Sequence, residues 1–319
     1  MYSVRVGTMS SSQARWTKAR VRSLSMVMDG YSTHPERIAL TGSRSLEETA
    51  MKLIGVVAAL LVTVTLASAQ SGLERLYVLD CGVNQAKDQA RWSPGVNEGK
   101  PIEFSDNCYL IRHAKGVLLW DTGIADAVAA MPDGMVVANG AITQRRAKTL
   151  AAQLTEIGVK PTDITYVAVS HTHGDHVGNV ALFPSSTILI QGAEYEWAMS
   201  QPTKPAFAAT QKFEKLAGDR DVFGDGSVVV LSTPGHTPGH QSLLVVLPKT
   251  GALVLSGDAV HFRDNWEHRR VPSMNTSRDQ TLASLQRIAD VLEQRKAQLW
   301  INHDKPQSAA LRYAPAYYE

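Results

Sequence analysis

The chain has 319 residues, 44% of them apolar, and a formal net charge of +2 at pH 7. That length allows one large or two small domains with a sizeable core. A balanced charge gives no support for a nucleic-acid partner, and two cysteines outside any C-x-x-C pair exclude a zinc ribbon.

Residues 1–50 carry seven Lys/Arg against four Asp/Glu, are rich in Ser, and hold no sustained periodicity. They read as a non-native or disordered N-terminal extension. Met51-Lys52 then opens an apolar run, Leu53 to Leu66, that ends in Ala67-Ser68-Ala69. A positive start, a short apolar stretch and small residues at a cleavage point make a signal peptide at 51–69, with Met51 as the natural start. The run is near the short limit for crossing a bilayer. The expectation is a periplasmic or secreted protein with no stable membrane association after cleavage, its single domain at 70–319. Cys81 and Cys108 could pair in an oxidising compartment; two separate buried thiols is the expected arrangement.

Leu73 to Leu79 reads as a strand. Residues 82–106 are polar, with Pro94, Gly95, Gly99 and Pro101, and read as a long lid-like loop. Asn107–Arg112 and Val117–Trp120 form a strand pair around a turn. The second strand ends in Asp121-Thr122-Gly123, where a buried Asp needs hydrogen-bond partners unless it only shapes the turn. Residues 126–141 offer an apolar rim. Arg145 to Ile157 has helical periodicity, and Ile164 to Val169 is a buried strand.

That strand delivers Ser170-His171-Thr172-His173-Gly174-Asp175-His176. Imidazole and carboxylate are preferred ligands of borderline metals. His171 and His173 alternate along extended chain and can face one ion. Asp175 and His176, beyond Gly174, can face a second. Thr187–Ile190 is the next strand, Ala193–Met199 a short helix, and 200–225 irregular or loosely helical. Ser227–Leu231 runs into His236, Ala252–Leu255 into Asp258, and Leu299–Asn302 into His303. Between them, Ser277-x-x-Gln280 caps a helix that continues to about Arg295. Strand after strand thus ends in a candidate ligand.

The H-x-H-x-D-H stretch at 171–176 resembles the metallo-β-lactamase fold superfamily. So do Thr233-Pro234-Gly235-His236, Ser256-Gly257-Asp258 and Ile301-Asn302-His303, in that order. Wording and spacing are most similar to the N-acyl-homoserine lactone lactonases, over about Leu73 to Pro306. The resemblance implies an α/β (α+β) fold in four αββα layers. It implies His171, His173 and His236 on one metal, Asp175, His176 and His303 on a second, and Asp258 bridging both. Two Zn2+ ions are expected, with iron, manganese or cobalt able to take their place. Asp121 would support a metal-binding histidine, and His240 would be packed rather than ligating.

The activity so implied is hydrolytic opening of N-acyl-homoserine lactones by a metal-bridging hydroxide, with Asp175 and His261 as catalytic residues. The lactonases commonly carry a tyrosine three residues after the bridging aspartate, whereas this chain has His261, which can donate an N–H to the same substrate oxygen. The alternatives are another ester, lactone or thioester hydrolase, β-lactamase-like activity, or a non-catalytic metal-binding member. True β-lactamases of the fold do not use a bridging aspartate such as Asp258. Glyoxalase-type thiolesterases do, but they add a helical C-terminal domain, and sixteen residues follow His303 here. The expected partner is a small acyl lactone, with no nucleic acid; a homodimer is compatible. His34, His113 and His268 belong to no motif and read as ordinary surface or loop histidines, and Asp304 reads as a local hydrogen-bonding group.

Overall fold

The computed structural model describes residues 72–319. The extension and signal peptide expected at 1–69 lie outside the described residues. From the N-terminal side the elements are β1 (Leu73–Ala86), β2 (Ile102–His113), β3 (Gly116–Trp120), β4 (Met135–Val137), β5 (Ile142–Arg145), α1 (Leu150–Glu156), β6 (Tyr166–Ala168), α2 (Gly174–Val177), β7 (Thr187–Gln191) and α3 (Gly192–Ser200). Then come β8 (Lys212–Leu216), β9 (Arg220–Asp221), β10 (Val228–Ser232), β11 (Gln241–Leu247), β12 (Gly251–Leu255), α4 (Arg263–His268), α5 (Arg278–Arg295), β13 (Gln298–Trp300) and α6 (Lys305–Ser308).

One sheet has eight strands in the order β4-β5-β1-β2-β3-β6-β7-β8, the other five in the order β13-β12-β11-β10-β9. Successive side chains of a strand point to opposite faces, and that period sorts residues into layers. Leu76 and Val78 of β1 join Leu243, Val245, Leu253 and Leu255 in a core shared by the two sheets. Tyr77 and Leu79 face the other way, onto α1 and its surroundings. Leu244 and Val254 face outward onto Leu285 and Ile288 of α5. Helix, sheet, sheet, helix is the four-layer arrangement expected from the sequence.

Four expectations about the fold need correction. Residues 82–86 and 102–106 are not loop but the far ends of β1 and β2, paired from Gly82↔Asp106 to Ala86↔Ile102. Their polar sequence hid them, because side chains there serve the site rather than an apolar core. Second, the helix starts at Leu150, not Arg145. Arg145 belongs to β5, and Thr149 Oγ1 caps α1 by accepting the Ala152 N–H at 3.1 Å. Third, 200–225 contains β8, added parallel to β7, and β9, added to β10.

Cys81 and Cys108 are not separate thiols. A register shift between Asp80 and Gly82 brings Cys81 beside Cys108 on the neighbouring strand, with Cα atoms 5.7 Å apart, and the two form a disulfide. Neither is exposed to solvent. The bond closes a loop that includes 87–101, so its loss frees the unfolded chain. The double variant Cys81→Ala/Cys108→Ala should lose about 3 kcal/mol in urea unfolding. A parent protein whose urea midpoint does not move when the bond is reduced during unfolding would contradict this.

Candidate metal centre

The site lies where strand ends meet. His171 follows β6, His236 follows β10, Asp258 follows β12 and His303 follows β13. Two glycines allow the close packing behind them. Gly123 has φ +68°, and a Cβ there would sit 2.4 Å from the Cys81 Cβ. Gly235 has φ +136° and presses against α5, where a Cβ would lie 2.3 Å from the Thr281 nitrogen.

All seven residues expected as ligands converge. His171 Nε2 and His236 Nε2 lie 2.9 and 3.0 Å from His173 Nδ1. Three nitrogens at about 2.0–2.1 Å from a tetrahedral ion would be about 3.3 Å apart, close to this spacing. Asp258 stands in the middle. Its Oδ2 lies 3.4 Å from His236 Nε2 and 3.8 Å from His171 Nε2, while Oδ1 lies 3.2 Å from His176 Nε2 and 3.0 Å from His303 Nε2. Asp175, His176 and His303 form a further group of converging ligand atoms.

The opposite ring nitrogens explain which lone pairs are free. His176 Nδ1 donates to Asp121 Oδ2 at 2.9 Å, His236 Nδ1 to Asn275 Oδ1 at 2.8 Å, and His303 Nδ1 to the Ser105 carbonyl at 2.6 Å. Each bond holds a proton on Nδ1 and turns an unprotonated Nε2 toward the centre. His176 Nε2 and Asp258 Oδ1 are buried with no hydrogen-bond partner. Buried polar atoms are seldom left so. The donor set therefore fits divalent cations.

Electrostatics agree. Burial holds the imidazoles of His171, His173 and His236 below their usual range, keeping them neutral. Burial acts against ionised Asp258, yet the histidines around it, His303 first, hold it well below the usual carboxylate range. The same carboxylate raises His176, and raises His303 to about 9, despite their burial. Without a cation this centre attracts protons; a bound cation replaces them.

His240 is outside the set. Its Nδ1 donates to the Thr233 carbonyl at 3.0 Å and its Nε2 accepts the Asp258 N–H at 2.8 Å. Burial pushes it down to about 4. It positions the aspartate through the backbone. His261 differs again. Its Nε2 lies 3.1 Å from Asp258 Oδ2, but its buried Nδ1 has no partner. With no acceptor for a proton on Nδ1, the proton belongs on Nε2. His261 is thus an N–H donor facing the site, unlike the histidines anchored at Nδ1.

Asp121 holds two parts of the first motif: Oδ1 accepts the Ser170 N–H at 2.6 Å and Oδ2 the His176 proton. Its φ of 57° is rare outside glycine but tolerated by Asp. Several supports carry no sequence motif. Glu194 Oε1 accepts the N–H and hydroxyl of Thr172, both at 2.8 Å, while Oε2 accepts the Gly239 N–H at 3.1 Å, tying the first and third motifs together. Asn84 donates to Asp175 Oδ2 at 3.0 Å and accepts from Gln144 at 3.1 Å. Asp304 caps α6. His113, expected at the surface or in a loop, is instead buried at the end of β2, where it pairs with Asp225 at 2.9 Å, outside the site.

The centre opens into a cavity of about 460 Å3. Asp175, Asp258 and His261 line one part; Trp92, Phe104, Met135, Val137, Ile142 and Met274 form an apolar wall. Trp92 and Phe104 pack with ring centres 5.2 Å apart. Met135 and Val137 come from the segment expected to form an apolar rim.

Comparison with known proteins places the chain. A family described as the metallo-beta-lactamase superfamily matches residues 101–296. N-acyl homoserine lactonase AttM of Azorhizobium caulinodans is 32% identical over 266 residues, covering 77% of this chain and 98% of that protein. An N-acyl homoserine lactonase of a Bacillus species is 29% identical over 254 residues, covering 77% and 99%. The fold is similar, with a TM-score of 0.70 and 28% identity, to an N-acyl homoserine lactone hydrolase solved with N-hexanoyl-L-homoserine at its catalytic metal centre; 77% of this chain and 99% of that one are covered.

Because Asp121 fixes the His176 tautomer, Asp121→Asn should weaken metal retention about ten- to a hundredfold. Competition with a chromogenic chelator measures it. Unchanged retention would mean that Ser170 and Thr122 hold His176 without the carboxylate.

Proposed function

The chain belongs to the metallo-beta-lactamase superfamily, and we propose that within it this protein opens the ring of N-acyl-homoserine lactones, with two divalent cations, zinc by default, held by the seven residues that converge at Asp258. The observation that carries this reading is the donor-lined centre opening into a cavity with an apolar wall. The polar part suits a lactone and its amide; the wall suits an acyl chain. The names of the similar lactonases support it.

When bound, the cations would supply Lewis acidity toward the ester carbonyl and an activated water for attack. The chain's residues do the rest. His171, His173 and His236 would hold one cation, Asp175, His176 and His303 the other, and Asp258 would reach both through its two oxygens. Asp175, fixed at Oδ2 by the Asn84 amide, is placed to take a proton from the attacking water and pass it to the ring oxygen that leaves. His261 Nε2–H is placed to donate to the carbonyl oxygen as charge develops there. The aromatic and methionine wall orients the acyl chain and excludes water. Ring opening breaks the ester C–O bond and leaves an N-acyl-homoserine, which would silence a bacterial quorum signal.

The test is turnover of a homoserine lactone beside a β-lactam and a thioester, with metal content measured on the same samples. The lactone should be the fastest, at two ions per chain. Asp258→Asn should lose metal and slow turnover at least about a hundredfold. His261→Phe should retain metal and lose roughly tenfold in kcat, a modest share because the cations carry most of the charge; His261→Tyr should recover it. No lactone opening by protein holding two ions would sink the reading. A faster thioester or β-lactam would move it to those substrates.

We place the activity outside the cytoplasm. The Cys81–Cys108 disulfide supports an oxidising compartment, and the run ending at Ala69 supports export. N-terminal sequencing of periplasmic or secreted protein should begin near Gln70. Active cytoplasmic protein that retains residues 1–69 would overturn this.

A further inference from the structure

A second recess, of about 490 Å3, lies between α4 and the start of α5. Four of its nine lining residues are basic, His268, Arg269, Arg270 and Arg278, and none is acidic. Three guanidinium groups in one concavity repel one another, and an anion among them relieves that repulsion.

The cations are unequally neutralised. Arg270 Nε pairs with Asp264 Oδ2 at 2.8 Å, and the same carboxylate meets His268 Nδ1 at 3.0 Å. Among the described residues no carboxylate lies within ion-pair distance of Arg269 or Arg278. The Arg269 guanidinium carbon sits 4.6 Å from the Trp266 ring centre, which holds the group in place. Its Nη1 is buried with no acceptor. An enclosed guanidinium N–H without a partner is costly. The nearby Ser273 hydroxyl is already used, donating to the Arg91 carbonyl at 3.2 Å. Among the buried side-chain atoms of the recess, the one recorded without a partner is thus a cationic donor.

We infer that this recess binds a phosphate-class oxyanion, a multivalent tetrahedral anion gripped by Arg269 and Arg278 with Arg270 beside them. Guanidinium forks match two oxygens of such an anion at once, which chloride cannot reproduce. The site is separate from the metal centre, and its existence does not depend on what that centre hydrolyses. The two meet through one residue: Asn275 lines the recess and accepts the His236 proton. An anion held there bears on the segment that supports a candidate metal ligand.

Sulfate is the probe. Metal-loaded full-length protein is titrated calorimetrically with sulfate at constant ionic strength, chloride making the balance. Saturable binding is expected, weakened at least roughly tenfold in Arg269→Ala/Arg278→Ala. Asp264→Asn, which frees Arg270 from its carboxylate, should tighten binding several-fold. If the double variant fails to fold, the Asp264→Asn result decides, and unchanged affinity there overturns the site. Absence of saturable binding overturns it as well. So does binding that the double variant leaves intact, which would place sulfate at the metal centre.

Discussion

One buried carboxylate sets the terms for the whole site. Asp258 has the ring nitrogens of His171, His176, His236, His261 and His303 within 4 Å of its two oxygens. A carboxylate is stable in such burial only when positive charge or donors surround it. The histidines in turn tolerate each other's proximity only if most are neutral. Cations between them satisfy both demands, and the arrangement otherwise leaves polar atoms without partners.

That constraint reaches outward through the opposite edges of the rings. Asp121, Asn275 and the Ser105 carbonyl each accept a proton from a histidine, and each comes from a different element. Asp121 closes β3, Ser105 lies in β2, and Asn275 precedes α5. Two strands of the large sheet and the segment leading into α5, which packs on the second sheet, thereby contribute to one set of tautomers. Burial of apolar residues between the sheets supplies the rigidity that keeps these distances fixed.

Much of this was legible in the sequence because it obeys short-range rules. Apolar strands such as Val228–Ser232 and Gly251–Leu255 announce themselves by composition, and the candidate ligands stand just past their ends. The four layers follow from strand pairs interspersed with helices. What escaped has no local signature. Glu194 sits on a short helix like any surface acid, yet it is fully buried and ties two motifs together. Asn84 and Ser105 lie in polar stretches that resemble loop because their partners, Asp175 and His303, are distant in sequence. The disulfide depended on a one-residue bulge beside Asp80, which alternation of side chains does not foretell.

A centre collected from four strand ends also has a history in time. No segment shorter than the span from His171 to His303 contains it, so the residues meet only after the two sheets have docked. Contacts so far apart in sequence form late, since closing long loops costs entropy before any bond repays it. Nitrogen and oxygen ligands of this kind do not by themselves choose zinc, as copper would bind more tightly. Which ion such a centre would acquire then depends on the cations that surround the chain at the moment of closure. Metal identity would then record the place where folding finished.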